Sequence, residues 1–125
     1  MTELHISDAQ AVQWNDLIMP VAQLLKAQPV RPQALVLWML NVPEAVQMLR
    51  QAIAQAGFQG VEVPADAHPP VLEAMMVLHP PAVVVCAPQV FGWVSKQAFL
   101  ANCLAVFTCG ESGEGTLLDR ARHFG

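Results

Sequence analysis

The sequence predicts an α/β fold, a three-layer sandwich in which about four mainly parallel strands carry helices on both faces, within one domain spanning residues 1–125. Three observations lead there. ALVLWMLN (34–41) and AVVVCAP (82–88) are continuous apolar runs of strand length without polar alternation, the mark of strands covered on both faces. Helical stretches separate every pair of strand-like runs, the order that crossover connections between parallel strands require. A chain of 125 residues is also long enough to bury about two thirds of its unfolded surface in one core.

The elements follow in order. Ser7 or Asp8 can cap a first helix, along which Val12, Leu17, Val21, Leu24 and Leu25 recur near the helical period, with Pro20 expected to kink or break it. The polar hinge AQPVRPQ ends this helix, and ALVLWMLN supplies the first buried strand. Pro43 stands where a first-turn proline belongs, so PEAVQMLRQAIAQAGF reads as an amphipathic helix closed by Gly57. GVEVPA (60–65) is a short strand and DAHPP a proline-bounded loop. VLEAMMVLH (71–79) is a helix stopped by Pro80 and Pro81, and AVVVCAP is the next buried strand. A helix around VSKQAFLANC, the strand LAVFTCG (104–110) and a last helix from Thr116 to about Phe124 complete the series.

Composition excludes several classes. Six Lys plus Arg against ten Asp plus Glu give a formal charge of -4, which repels a phosphate backbone, so nucleic acid is not an expected partner. No segment reaches the run of about 18 uncharged apolar residues that a membrane span needs, and the N-terminus has early acids and no apolar core of a secretory signal. Three scattered cysteines, Cys86, Cys103 and Cys109, in apolar surroundings read as reduced core thiols of a cytoplasmic protein. With 54% hydrophobic and only 13% charged residues, the chain carries about half the usual charged share, and a self-association face, a missing partner or a larger parent polypeptide is expected.

Motifs that could carry chemistry are few. GESGEGT (110–116) has the glycine spacing of a phosphate loop of the form GxxxxGK[ST], but no lysine follows, and Glu111 and Glu114 put negative charge where an anion would lie. It reads as an acidic surface turn. His68 and His79 bracket a helix, and Cys103 and Cys109 are too far apart for a zinc knuckle, so no metal is expected. Cys86 ends a central strand, where ligand crevices of open sheets form, yet a cysteine closing a Val-Val-Val run is ordinarily a small buried hydrophobe. PQVFGWV (88–94) places Phe91 and Trp93 in an expected Pro/Gly-bounded loop, as anchors for a partner or as lids on the core.

Trp14 and Leu17 on the first helix, Asn41 after the first strand, Pro43 and Glu44 opening the next helix, then Gly57 and Pro64, form a connected pattern. Carried on QWNDLIMPVAQLLKAQPVRPQALVLWMLNVPEAVQMLRQAIAQAGFQGVEVPAD, it resembles the N-terminal subdomain of the adenylate-forming superfamily of acyl-CoA synthetases, aryl-CoA ligases and luciferases; PAVVVC, CLAVFTCG and ESGEGTLLDRA fit that family's next segment. The family's Ser/Thr-Gly-rich loop with Pro-Lys-Gly, its acidic nucleotide segment and its catalytic lysine have no counterpart in these residues. The resemblance therefore implies a scaffold without catalytic residues or a cofactor site.

Two functional readings follow. The first is a non-catalytic binding or assembly module, one piece of a split ligase or a partner-binding protein, acting as a homodimer or with a protein partner through Phe91 and Trp93. The second is a small regulatory module of inactive-receiver type. An active receiver needs acids after its first strand, an aspartate after its third and a lysine after its fifth; here the first strand ends Leu40-Asn41, the third Cys86-Ala87-Pro88, and only Thr108 fits.

Overall fold

The computed structural model describes residues 13–30 and 34–122, so the expected caps Ser7 and Asp8, together with Val12 and Phe124, lie outside the described residues. A short 3-10 turn, Trp14–Leu17, leads into α1, Ile18–Lys26. There follow β1 Leu35–Met39, α2 Pro43–Ala56, β2 Gln59–Glu62, α3 Pro69–Leu78, β3 Val83–Cys86, α4 Phe91–Leu100, β4 Ala105–Thr108 and α5 Thr116–Ala121. The alternation is the one the sequence predicts. Pro20, expected to kink or break the first helix, instead occupies the third position of α1; first-turn N–H groups have no partner within their helix, so proline removes nothing there. Pro43 opens α2 and Gly57 closes it in the left-handed region, as the pattern indicates.

The sheet has four strands, all parallel, in the order β2-β1-β3-β4. β1 is interior: Leu37 pairs with Val61 on one side and Val84 on the other. Because successive side chains of a strand face opposite ways, each strand feeds two cores. Val36, Trp38, Val83, Val85 and Phe107 point to the layer of α1, α2 and α5, where Leu25, Leu49, Leu117 and Leu118 are fully buried. Leu37, Met39, Val84 and Cys86 point to the layer of α3 and α4, where they meet Leu72, Met76, Val94 and Ala98. A leucine so buried contributes about 1.5–3 kcal/mol relative to exposure. The handedness rule explains the layering: β1 to β2 and β2 to β3 run in opposite directions across the sheet, so their crossover helices, α2 and α3, must lie on opposite faces to be right-handed.

Trp38 is the largest side chain in the first core, and Gly60 on the neighbouring strand makes room for it: a Cβ at position 60 would lie 2.5 Å from the ring. Arg50 of α2 covers the indole at 5.9 Å from its centroid. Among the described residues no helix is long and apolar enough to cross a membrane.

Candidate functional site

In an open parallel sheet a ligand crevice forms outside the carboxyl ends of two neighbouring strands whose connections depart in opposite directions. Here those strands are β1 and β3, leading to α2 on one face and α4 on the other. β1 delivers Leu40, Asn41, Val42 and Pro43; β3 delivers Cys86, Ala87 and Pro88. Cys86 is fully buried, and burial pushes its thiol up to about 12. Cys86 packs as a small hydrophobe within the second core. Burial raises the Cys103 thiol as well, and burial together with the charge of Glu114 raises Cys109 to about 11. All three are free cysteines. His68 and His79 stand at opposite ends of α3, and among the described residues no group of three His, Cys, Asp or Glu side chains is placed to hold a metal.

GESGEGT is a turn that satisfies itself. The Gly110 N–H donates to the Glu114 carbonyl at 2.8 Å, the Gly113 N–H to the Gly110 carbonyl at 3.1 Å, and the Ser112 N–H to Glu114 Oε1 at 2.9 Å. Two threonines then clasp the strand before the turn to the helix after it. The Thr108 N–H donates to Thr116 Oγ1 at 2.9 Å, and the Thr116 N–H donates to Thr108 Oγ1 at 3.0 Å. The first N–H of α5 is thereby consumed, and the carboxylate of Glu114 folds over Gly110. The N–H groups of Gly110, Ser112, Gly113 and Thr116 are all taken up within the turn and its clasp. The Thr108 hydroxyl is engaged in this clasp.

Phe91 and Trp93 do not lie in a loop. Pro88–Val90 forms a 3-10 turn that runs directly into α4, so both aromatics fall in its first turn. The Pro/Gly punctuation misleads because Pro88 starts the turn and Gly92 is accommodated within the helix. Trp93 is half-buried and packs against the second core. Phe91 is exposed and lines a groove of about 490 Å³ along the open edge of β4, with Leu104, Val106, Phe107, Thr116 and Arg120. A separate cleft of about 460 Å³, at the start of α2, is lined by Trp14, Asn15 and Gln47 and by Glu44, whose carboxylate occupies the favourable end of the helix dipole.

Further apolar exposure lies elsewhere among the described residues. At the last turns of α3 and α4, Val77 is 75% exposed, Leu78 71%, Phe99 81% and Leu100 73%. Between the two helices runs a groove of about 390 Å³ lined by Met76, Val77, Pro80, Leu100 and Ala101, with Glu73 and Gln97 in its walls. Reading the sequence for loop aromatics passes over these residues. The available signal is VLEAMMVLH itself, apolar on every side of the helix although the sheet can cover only one.

No protein-family model and no curated protein matches the chain. Solved structures do. The chain is similar to ATP-bound MatB and to apo MatB, both from Rhodopseudomonas palustris, each with a TM-score of 0.80 at 22% identity. An ATP-bound RpMatB-BxBclM chimera matches equally. Each match covers 88% of this chain and 22% of the other, so the chain spans about a fifth of the length of these proteins. The chain therefore shares the fold of that portion of MatB.

Proposed function

We propose that this chain is a non-catalytic binding or assembly module built on the scaffold of the N-terminal subdomain of an adenylate-forming enzyme, working in the cytoplasm through self-association or a protein partner. The observation that carries the reading is the chemistry of the strand ends. Where an open α/β sheet would place reactive groups, β1 and β3 present Leu40, Val42, Pro43, Ala87, Pro88 and a buried, protonated Cys86, and β4 ends in a threonine already engaged with α5. Asn41 is the polar side chain at the end of β1. Fold likeness to ATP-binding MatB over a fifth of its length supports the scaffold, and the apolar exposure on α3 and α4 supports an assembly role.

Thermal unfolding with ATP and a small carboxylic acid tests the reading. A binding-competent chain gains about 2.7 kcal/mol at a hundredfold excess of ligand over Kd, a rise in Tm of several degrees for a domain of this size. The expected outcome is an unchanged Tm and no pyrophosphate release. A saturable rise in Tm overturns the non-catalytic reading.

A further inference from the structure

The two edges of the sheet are built differently. β2, at one edge, is Gln-Gly-Val-Glu, largely exposed, and its Glu62 pairs with Arg50 of α2 at 3.9 Å. Charge on an edge strand discourages a further strand from adding to it. β4, at the other edge, is Ala-Val-Phe-Thr and carries no charge, proline or glycine. Its backbone groups alternate between β3 and the open side. The Cys109 N–H donates to the Cys86 carbonyl at the end of β3 at 3.0 Å, whereas the Thr108 N–H donates away from β3, to Thr116 Oγ1 at 2.9 Å. Two residues back along the strand, the N–H and carbonyl of Val106 therefore face the same open side, where no strand follows among the described residues. The threonine clasp closes the edge at its C-terminal end and leaves it open around Val106.

The groove of about 490 Å³ runs along this same edge, and its floor is the consecutive run from Leu104 to Phe107. Phe91 of α4 stands on one side of the sheet; Pro29, just after α1, and Thr116 and Arg120 of α5 stand on the other. A trough walled by both helical layers, with open backbone groups at its base, has the shape of one missing strand. We propose that the β4 edge binds an extended segment of another polypeptide by strand addition, which rests on the assembly reading above. The segment's backbone pairs with Val106, its alternate apolar side chains lie against Phe91 and Leu104, and an acidic residue meets Arg120. Two observations select this occupant. Arg120 is the one ionisable side chain among the described residues lining the groove, so the charge that complements it is a carboxylate. A second copy of this chain fits the edge poorly: an antiparallel β4 pair about a two-fold axis sets Phe91 against Phe91 and brings both Arg120 side chains to the same face of the seam. A single strand brings neither conflict.

Panning a phage-displayed library of random peptides about eight residues long, enough for a strand of ordinary length, on the full chain tests the proposal. Enriched sequences are expected to alternate apolar residues and to carry Asp or Glu. A synthetic peptide of the leading sequence slows hydrogen exchange at the Val106 amide and leaves the Phe107 amide, which faces β3, unchanged. Arg120→Glu weakens its binding by about tenfold, and because Arg120 is exposed the Tm of the variant stays close to wild type. Methylating the alternate peptide nitrogens that face β4 keeps every side chain and abolishes binding. No enrichment over a control protein, protection of amides away from β4, binding indifferent to Arg120→Glu, or binding that survives methylation of either alternate set overturns this site. A chain that captures no peptide and sediments at twice its 13.5 kDa mass keeps the assembly reading without this edge. None of these results touches the non-catalytic reading, which stands or falls on the ATP titration.

Discussion

Thr108 and Thr116 exchange two hydrogen bonds across eight residues, and Gly115 lets them do so. Its φ of +116 is open to glycine, and a Cβ there would stand 2.5 Å from the Thr108 carbonyl oxygen. Gly115→Ala is expected to cost about 3 kcal/mol, from backbone strain and the clash together, read as a loss of urea midpoint at unchanged slope. Thr108→Val keeps the shape and removes the acceptor, leaving the Thr116 N–H unpaired; the expected cost is about 1–2 kcal/mol. The thiols give a pH dependence. Folded Cys86 and Cys109 titrate near 12 and 11 against an ordinary 9.0, so as pH rises the unfolded chain loses its thiol protons first. Stability present below pH 9 therefore declines as the pH climbs toward 11 to 12, and Cys109→Ala flattens part of that decline in a series of thermal melts. At this scale the sequence was legible where chemistry opposed itself, as with the glutamates of GESGEGT. The threonine clasp was not, because nothing in the spacing of two threonines says that their hydroxyls will meet.

Strands and helices were legible to different depths. β1 and β3 announce themselves because both their faces are buried, and buried parallel strands have no reason to alternate. α2 is equally clear: Ala45, Met48, Leu49, Ala52 and Ile53 form its buried stripe, with Glu44, Arg50 and Gln51 facing solvent. α3 is the instructive failure. Its sequence is apolar around the whole circumference, yet only Leu72 and Met76 are buried, so periodicity locates the helix and leaves its second face unassigned. The aromatics after β3 show the converse error, since proline and glycine at Pro88 and Gly92 mark the beginning of α4 instead of a loop. Gly60→Ala tests the packing between elements. A methyl at this edge-strand position has to displace the Trp38 ring, and the expected cost is about 1–3 kcal/mol with a changed near-UV tryptophan signal.

For the molecule as a whole, one helical layer is assembled from distant parts of the chain. α1 and α2 pack against each other, and α5, the last described element, completes the same face by bringing Leu117, Leu118 and Ala121 against α1 and β4 within the core they share. The other layer takes its last helix from α4 and is completed by Cys103 and Val106 just after it. During synthesis, which adds roughly 5–20 residues per second, the α1 face of the sheet must therefore wait, partly uncovered, for residues near position 117, while the α3–α4 face is already complete. The nascent chain thus has a defined interval in which its two sides differ. One is a finished surface already bearing Phe99 and Leu100, and the other is an open seam that α5 closes.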